Sequence, residues 1–156
     1  MVKLVIHRHF LLFVTLLVLA LTMTTVVQQI LYLLNDGSIK NIHQLMLTEA
    51  SLSILFVGLG IVLDGRGILV SWANRVSDQQ LHVEDSLLNH HCEYYGLLIA
   101  GVGLLIEVID QVCKFFYEQD AVVMILHYGV SFPLNIAGLV MLSLITYKLI
   151  QSKSFP

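Results

Sequence analysis

Charge is scarce in this sequence. Asp, Glu, Lys and Arg together make up 12% of its 156 residues, about half the share found in ordinary soluble domains. The eight Lys and Arg residues are scattered, so there is no clustered basic face for a nucleic acid, and that partner is excluded. Cysteine is scarcer still, with two residues. On one helix rising about 1.5 Å per residue, Cys92 and Cys113 would stand about 30 Å apart, far beyond disulfide reach. Cys113 therefore reads as a small packing residue and Cys92 as an interfacial thiol or ligand. Internal repeats, low-complexity tracts, nucleophile motifs and dinucleotide fingerprints are also missing. Gly101-x-Gly103 lies inside an apolar run and reads as packing, not phosphate binding. No stretch is left over for a soluble catalytic module, and the chain is not expected to be an enzyme.

What is present is apolar. Hydrophobic residues make up 57% of the chain, and the mean hydropathy is +0.83. Four runs, at about 10–34, 45–63, 94–117 and 121–150, each approach or exceed the roughly 20 residues a helix needs to cross a bilayer. They predict an all-α polytopic membrane protein, a four-helix antiparallel transmembrane bundle forming one domain over 1–156. Lys3 and Arg8 precede the first run as in a secretory signal. That run is longer than the about 7–15 apolar residues of a signal and no A-x-A site follows, so it reads as a retained span. Lys3, Arg8, Arg66, Arg75, Lys148 and Lys153 fall on one side of the four spans, and only Lys40 and Lys114 on the other. The positive-inside rule then places both termini in the cytoplasm, with outer loops near 35–44 and 117–120, in a bacterial-type inner membrane or its equivalent.

The long cytoplasmic connection, about 64–93, divides into two pieces. Asp64-Gly65-Arg66-Gly67 predicts the end of span two, glycine being the usual left-handed cap. Ile68, Leu69, Trp72 and Val76 then share one helical face against Ser71, Asn74 and Arg75, which predicts a short interfacial helix. Ser77 and Gln80 fit a capping box that starts a polar helix leading into span three. Its stripe of His82, Asp85, Asn89 and Glu93 reads as a solvated face. Gly96, Ala100 and Gly103 form a small-residue ridge on span three, and Ser51, Ser53, Gly58 and Gly60 a similar surface on span two. Small residues let membrane helices approach closely, so spans two and three are expected to pack with each other or with a partner. Pro133 removes a backbone donor in span four and frees the carbonyl near Gly129, with Ser131 or Asn135 available to compensate.

Glu107 and Asp110, one helical turn apart, interrupt the third apolar run. A charged side chain at membrane depth costs about 2.5–3.5 kcal/mol on insertion scales, so both carboxylates are expected to face inward. Counted from the outer ends, Gln28, Gln29, Glu49, Glu107, Asp110, Gln111 and His127 share a layer roughly 5–15 Å below the outer surface. Such a layer is either a polar network that locks the helices in register, with one carboxyl protonated, or a site for a proton or a metal ion. The Glu-x-x-His pattern of carboxylate-bridged bundles is not matched, since the spacing here is Glu107-x-x-Asp110 and His127 has no Glu three residues before it.

The seven histidines collect at membrane edges. His9 with His91 and His43 with His127 are the pairs that bis-imidazole haem would need, although interfacial histidines also serve as amphipathic anchors. His90 and Glu93, one turn apart, are weak metal candidates because no further His/Cys pair completes a zinc set. The leading expectation is a non-enzymatic accessory or oligomerising subunit of a membrane complex, without cofactor, joined to other subunits or to itself through the Gly/Ala/Ser ridge. The alternatives are a proton or metal-ion conduit using Gln28, Glu49, Glu107, Asp110 and His127, and a haem-binding membrane cytochrome.

Overall fold

In the computed structural model, residues 8–34, 39–77, 83–116 and 120–151 are described, and they are almost entirely helical. The helices are α1 (Arg8–Leu34), α2 (Ile39–Ser77), α3 (Val83–Phe115), α4 (Asp120–Leu126) and α5 (Phe132–Gln151), with a π-helical turn, His127–Ser131, joining the last two. Four helical stretches are long and apolar enough to cross a membrane: His9–Leu34, Met46–Ile68, Leu88–Phe115 and Ala121–Gln151. A helix is the form that such runs must take in lipid, because it pairs its own backbone groups where no water can.

The helices close a ring in which α1 packs on α2 and α5, and α3 packs on α2 and α5. Antiparallel pairing of α2 with α3 is read directly from the contacts, Ser53 lying against Gly103 and Gly60 against Gly96. Leu52, Phe56, Leu59 and Leu63 meet Ile99, Val102 and Ile106 at the core, closed by Leu142, Ile145 and Leu149 of α5 and by Leu11 and Val18 of α1. The outer surface is apolar as well: Phe13, Ile54, Leu97, Leu104, Val108, Ile125 and Val140 all point away from the bundle. So much exposed apolar area has to be covered by something other than water.

The inner face of α1 is instead marked by polarity. Leu11, Thr15, Val18, Thr22, Thr25 and Gln29 are all buried, at three- and four-residue spacing. The threonine hydroxyls donate back to their own helix, Thr15 to the Leu12 carbonyl, Thr22 to Val18 and Thr25 to Leu21. Their burial therefore requires no partner helix.

Several expectations are corrected. Helix α2 does not break at 64–67 but runs through to Ser77, so the segment expected to form a separate interfacial helix is its continuation. The cause is tertiary. Arg66 is buried and its Nη1 donates to Asn89 Oδ1 on α3 at 2.8 Å, while a Cβ on Gly96 would stand 2.6 Å from the Asp64 amide nitrogen. That close seam with α3 holds Gly65 and Gly67 helical despite the weak intrinsic preference of glycine. At its other end α2 begins at Ile39, so most of the expected 35–44 loop is helical and His43 stands on the helix backbone. Ser77 is the last residue of α2, and its capping partner Gln80 lies outside the described residues.

The small-residue seam is also different in detail. Gly60, Gly96, Ala100 and Gly103 form it, whereas Gly58 is exposed and a Cβ there would meet nothing within 4 Å. The ridge is thus consumed within one chain, α2 against α3. Near Pro133 the distortion takes the form of the π turn, in which the Phe132 N–H donates to the His127 carbonyl five residues back. Pro133 has no N–H to continue the regular ladder, and a wide turn just before it absorbs the lost bond.

Candidate functional site

Glu49 is the polar centre of the bundle. It lies on α2, its residue only 2% exposed, and three other segments converge on its carboxylate. Gln29 Nε2 of α1 and Asn135 Nδ2 of α5 both donate to Oε1, the latter at 2.9 Å. His127 Nδ1, from the π turn, lies 3.0 Å from Oε2. Gln29, His127 and Asn135 are as deeply buried as Glu49 itself. A carboxylate taken out of water is tolerable only when its lone pairs are met in this way, and charge-assisted hydrogen bonds are the strong ones.

Sequence and local structure explain how each donor arrives. Gln29 continues the Thr15–Thr22–Thr25 stripe on the inner face of α1. The π turn carries His127 and Ser131 inward together, and Asn135 follows Ser131 by one turn on the same face. His127 also meets Tyr128 edge to face, ring centroids 5.0 Å apart. The other ring nitrogen, His127 Nε2, faces away from the carboxylate. That atom, Gln29 Oε1, Asn135 Oδ1 and the Tyr128 hydroxyl are buried with no hydrogen-bond partner among the described residues.

Apolar residues seal the site. Toward the end of the bundle where α1 meets α2, the buried cluster Met46, Cys113 and Val123 lies about one turn beyond Glu49 and His127. On the other side stand Leu52 and Phe56, the Phe56 ring pressed against Gly138. Electrostatic interactions are strong at a site this deeply buried, Glu49 and His127 being 2% and 1% exposed.

Of the residues singled out from the sequence, Glu49 and His127 come together. Gln28 does not join them: it points outward and its neighbour Gln29 takes the inner place. Glu107 forms a separate centre on the flank of α3, partly exposed, accepting from Ser53 Oγ of α2 at 2.9 Å and from Gln111 Nε2 at 2.8 Å. Asp110 is buried and pairs with Lys114 Nζ of its own helix at 2.6 Å, leaving Oδ1 without a hydrogen-bond partner. The single layer inferred from depth is therefore three centres: Glu49 with its three donors, Glu107 with Ser53 and Gln111, and Asp110 with Lys114.

Other positions are placed as follows. His90 and Glu93 are both exposed on α3, and among the described residues no group of three His, Cys, Asp or Glu side chains could hold a metal ion. His9 is exposed and His91 half-buried beside Tyr95, while the His43 side chain lies outside the described residues. Sequence reasoning undervalued Gln29, Asn135 and Arg66. The signal for Gln29 was available in the threonine spacing of α1. For Arg66 there was none, since a charge beside two glycines is also what a helix end looks like. No protein-family model, no curated protein and no solved structure matches this chain.

Proposed function

We propose that this chain is a multi-pass integral membrane protein, both termini cytoplasmic, that handles a proton or a cation at Glu49 inside its bundle. The observation that carries the reading is the convergence of α1, the π turn and α5 on one buried carboxylate. The site joins a carboxylate directly to an imidazole, the side chain best suited to exchanging protons near neutral pH, and a π turn, a feature found frequently at functional sites, presents that imidazole. The sealing residues Met46, Cys113 and Phe56 give the site the closed form expected where access is gated. The membrane setting is supported by the four apolar helices, and the orientation by the distribution of Lys and Arg.

The test is ion movement. Purified protein is reconstituted into liposomes holding a pH-sensitive dye, and proton flux is followed under an imposed potential. Wild type is expected to carry flux that Glu49→Gln abolishes while remaining folded. Flux equal to that of empty liposomes, or undiminished in the variant, removes the reading.

A second reading, a subunit of a membrane assembly, is favoured by Glu107 and Gln111. Both lie on the α3 flank, partly or fully exposed, where lipid offers no hydrogen-bond partner. With the glycine ridge used internally, this polar pair is the feature that a neighbouring helix would meet. Native purification that recovers a fixed-stoichiometry complex, lost in Glu107→Leu, would support it, and a stable monomer would refute it.

A further inference from the structure

We infer that Arg66 binds a phosphate oxyanion at the cytoplasmic boundary of the bundle, carried by a lipid headgroup or taken up as free phosphate. The inference rests on the membrane placement proposed above and is independent of the Glu49 centre.

Arg66 is a buried charge that its own neighbours do not neutralise. The residue is 6% exposed, and a guanidinium keeps its proton inside a protein, so burial is not relieved by losing the charge. Its Nη1 donates to Asn89 Oδ1 at 2.8 Å, and the Cys92 thiol accepts a further hydrogen bond from it. Both of these partners are neutral. The ion pairs among the described residues are Asp110 with Lys114 and Glu49 with His127. Asp64, two residues before Arg66, and Glu93, beside Cys92, are exposed and join neither pair. Buried charges are paired as a rule, and ionisable groups within membrane helices face a partner or a wet cavity. The neutralising anion for Arg66 therefore comes from outside the described chain.

The chemistry of the guanidinium selects an oxyanion. Arg66 Nε is buried and has no hydrogen-bond partner among the described residues. It shares a planar edge with Nη2, the edge whose parallel N–H groups fit two oxygens of one anion. Depth then favours phosphate. Arg66 is two residues inside the end of the span Met46–Ile68, and Asn89 one residue inside the start of Leu88–Phe115. At about 1.5 Å per residue both lie within about 3 Å of the hydrocarbon edge, where the headgroup layer begins. Basic pockets between membrane helices on the cytoplasmic side are where anionic headgroups bind. The helix surface beside this pair is bare. A Cβ on Gly67 would meet only the Asn89 Cβ, at 3.9 Å, and one on Gly65 would meet nothing within 4 Å. Glycine at such a place lets a ligand come close to the backbone.

The experiment uses the full chain in maltoside micelles, which carry no phosphate, and follows thermal unfolding. In one arm phosphatidic acid is added against diacylglycerol of the same acyl chains, and in the other inorganic phosphate replaces chloride at constant pH and ionic strength. Phosphatidic acid is expected to raise Tm and diacylglycerol to leave it unchanged. A Tm rise with phosphatidic acid alone assigns the site to a lipid headgroup, and a rise in both arms assigns it to phosphate from either source. Arg66→Lys, which gives up the two-pronged edge, is expected to weaken the response by about tenfold or more. Gly67→Leu fills the bare surface with a better helix former and is expected to abolish the response while remaining folded, with Gly58→Leu unchanged as the control. If Arg66→Lys does not fold, Gly67→Leu decides. No response in either arm, or a response that survives both Arg66→Lys and Gly67→Leu, overturns the inference. Flotation with liposomes tests the membrane placement separately. A chain that floats and responds in neither arm loses this inference alone, whereas a chain that does not float loses the membrane placement, and the free-phosphate arm then upholds or overturns the inference.

Discussion

Gly60 and Gly96 stand backbone to backbone across the α2–α3 seam: a Cβ on Gly60 would lie 2.6 Å from the Gly96 carbonyl oxygen, and one on Gly96 2.7 Å from that of Gly60. Neither neighbour is a side chain that could turn aside, so any larger residue must push the helices apart. Gly96→Val is expected to destabilise the fold by about 1–3 kcal/mol. Gly58→Ala, at an open exposed position, should be neutral or stabilise by up to about 1 kcal/mol. Thermal unfolding of both variants in mild detergent checks the contrast, and equal effects would place the seam elsewhere.

Phe56 and Gly138 are matched in the same manner across the bundle centre. A Cβ on Gly138 would come within 2.4 Å of Phe56 Cε2, and Phe56 is fully buried, so the ring has nowhere to swing. Gly138→Ala should cost about 1–3 kcal/mol. Combined with Phe56→Leu, the two losses should sum to less than their separate values, because the second change supplies the room that the first demands. Additive losses in the double-mutant cycle would contradict the contact.

Removing the Glu49 carboxylate strands three buried donors at once. Glu49→Ala is expected to lose about 3 kcal/mol or more, since each buried donor left unsatisfied costs about 1–3 kcal/mol. Glu107→Ala, whose partners Ser53 and Gln111 lie on a partly exposed flank, should lose much less, about 1 kcal/mol. Chemical unfolding of the two variants side by side decides this, and a larger loss at Glu107 would move the centre of the bundle away from Glu49.

The continuity of α2 has its own test. Gly65→Pro removes a helical N–H and clashes with the preceding turn, which costs about 3 kcal/mol or more inside a helix. Were 64–67 a helix end, proline would be tolerated there. The structure predicts strong destabilisation and, with it, loss of protection at Arg66 and its neighbours in amide hydrogen exchange. Asn89→Leu should act in the same direction by about 1.5–3 kcal/mol, since it deprives the buried Arg66 of its hydrogen-bonded acceptor.

Residues that are legible from sequence in a protein of this kind are those whose signal is local. Four apolar runs of sufficient length determine four helices long enough to cross a membrane, the form in which a backbone pairs its own polar groups. Pro133 determines a disturbance one turn before it, because it lacks an N–H. Gly96, Ala100 and Gly103 share a face by helical arithmetic alone, and Glu107 and Asp110 stand one turn apart for the same reason. Glycines at 65 and 67 misled, because intrinsic preference is a weak prior that a packed seam overrides.

What only the tertiary structure decided is which of these faces meet. A helix of this composition is apolar on both sides, so hydrophobic periodicity does not separate inside from outside, and on α1 only the threonine spacing sets Gln29 apart from Gln28. Asn135 looked like compensation for a proline and proves to be a ligand of Glu49. The glycine ridge was free to bind a partner until α2 was seen to occupy it. The sequence alone determined the helices and the position of each polar residue along its helix, both set along a single helix axis. The division of those polar residues into three centres depends on rotations about four axes, which only packing sets.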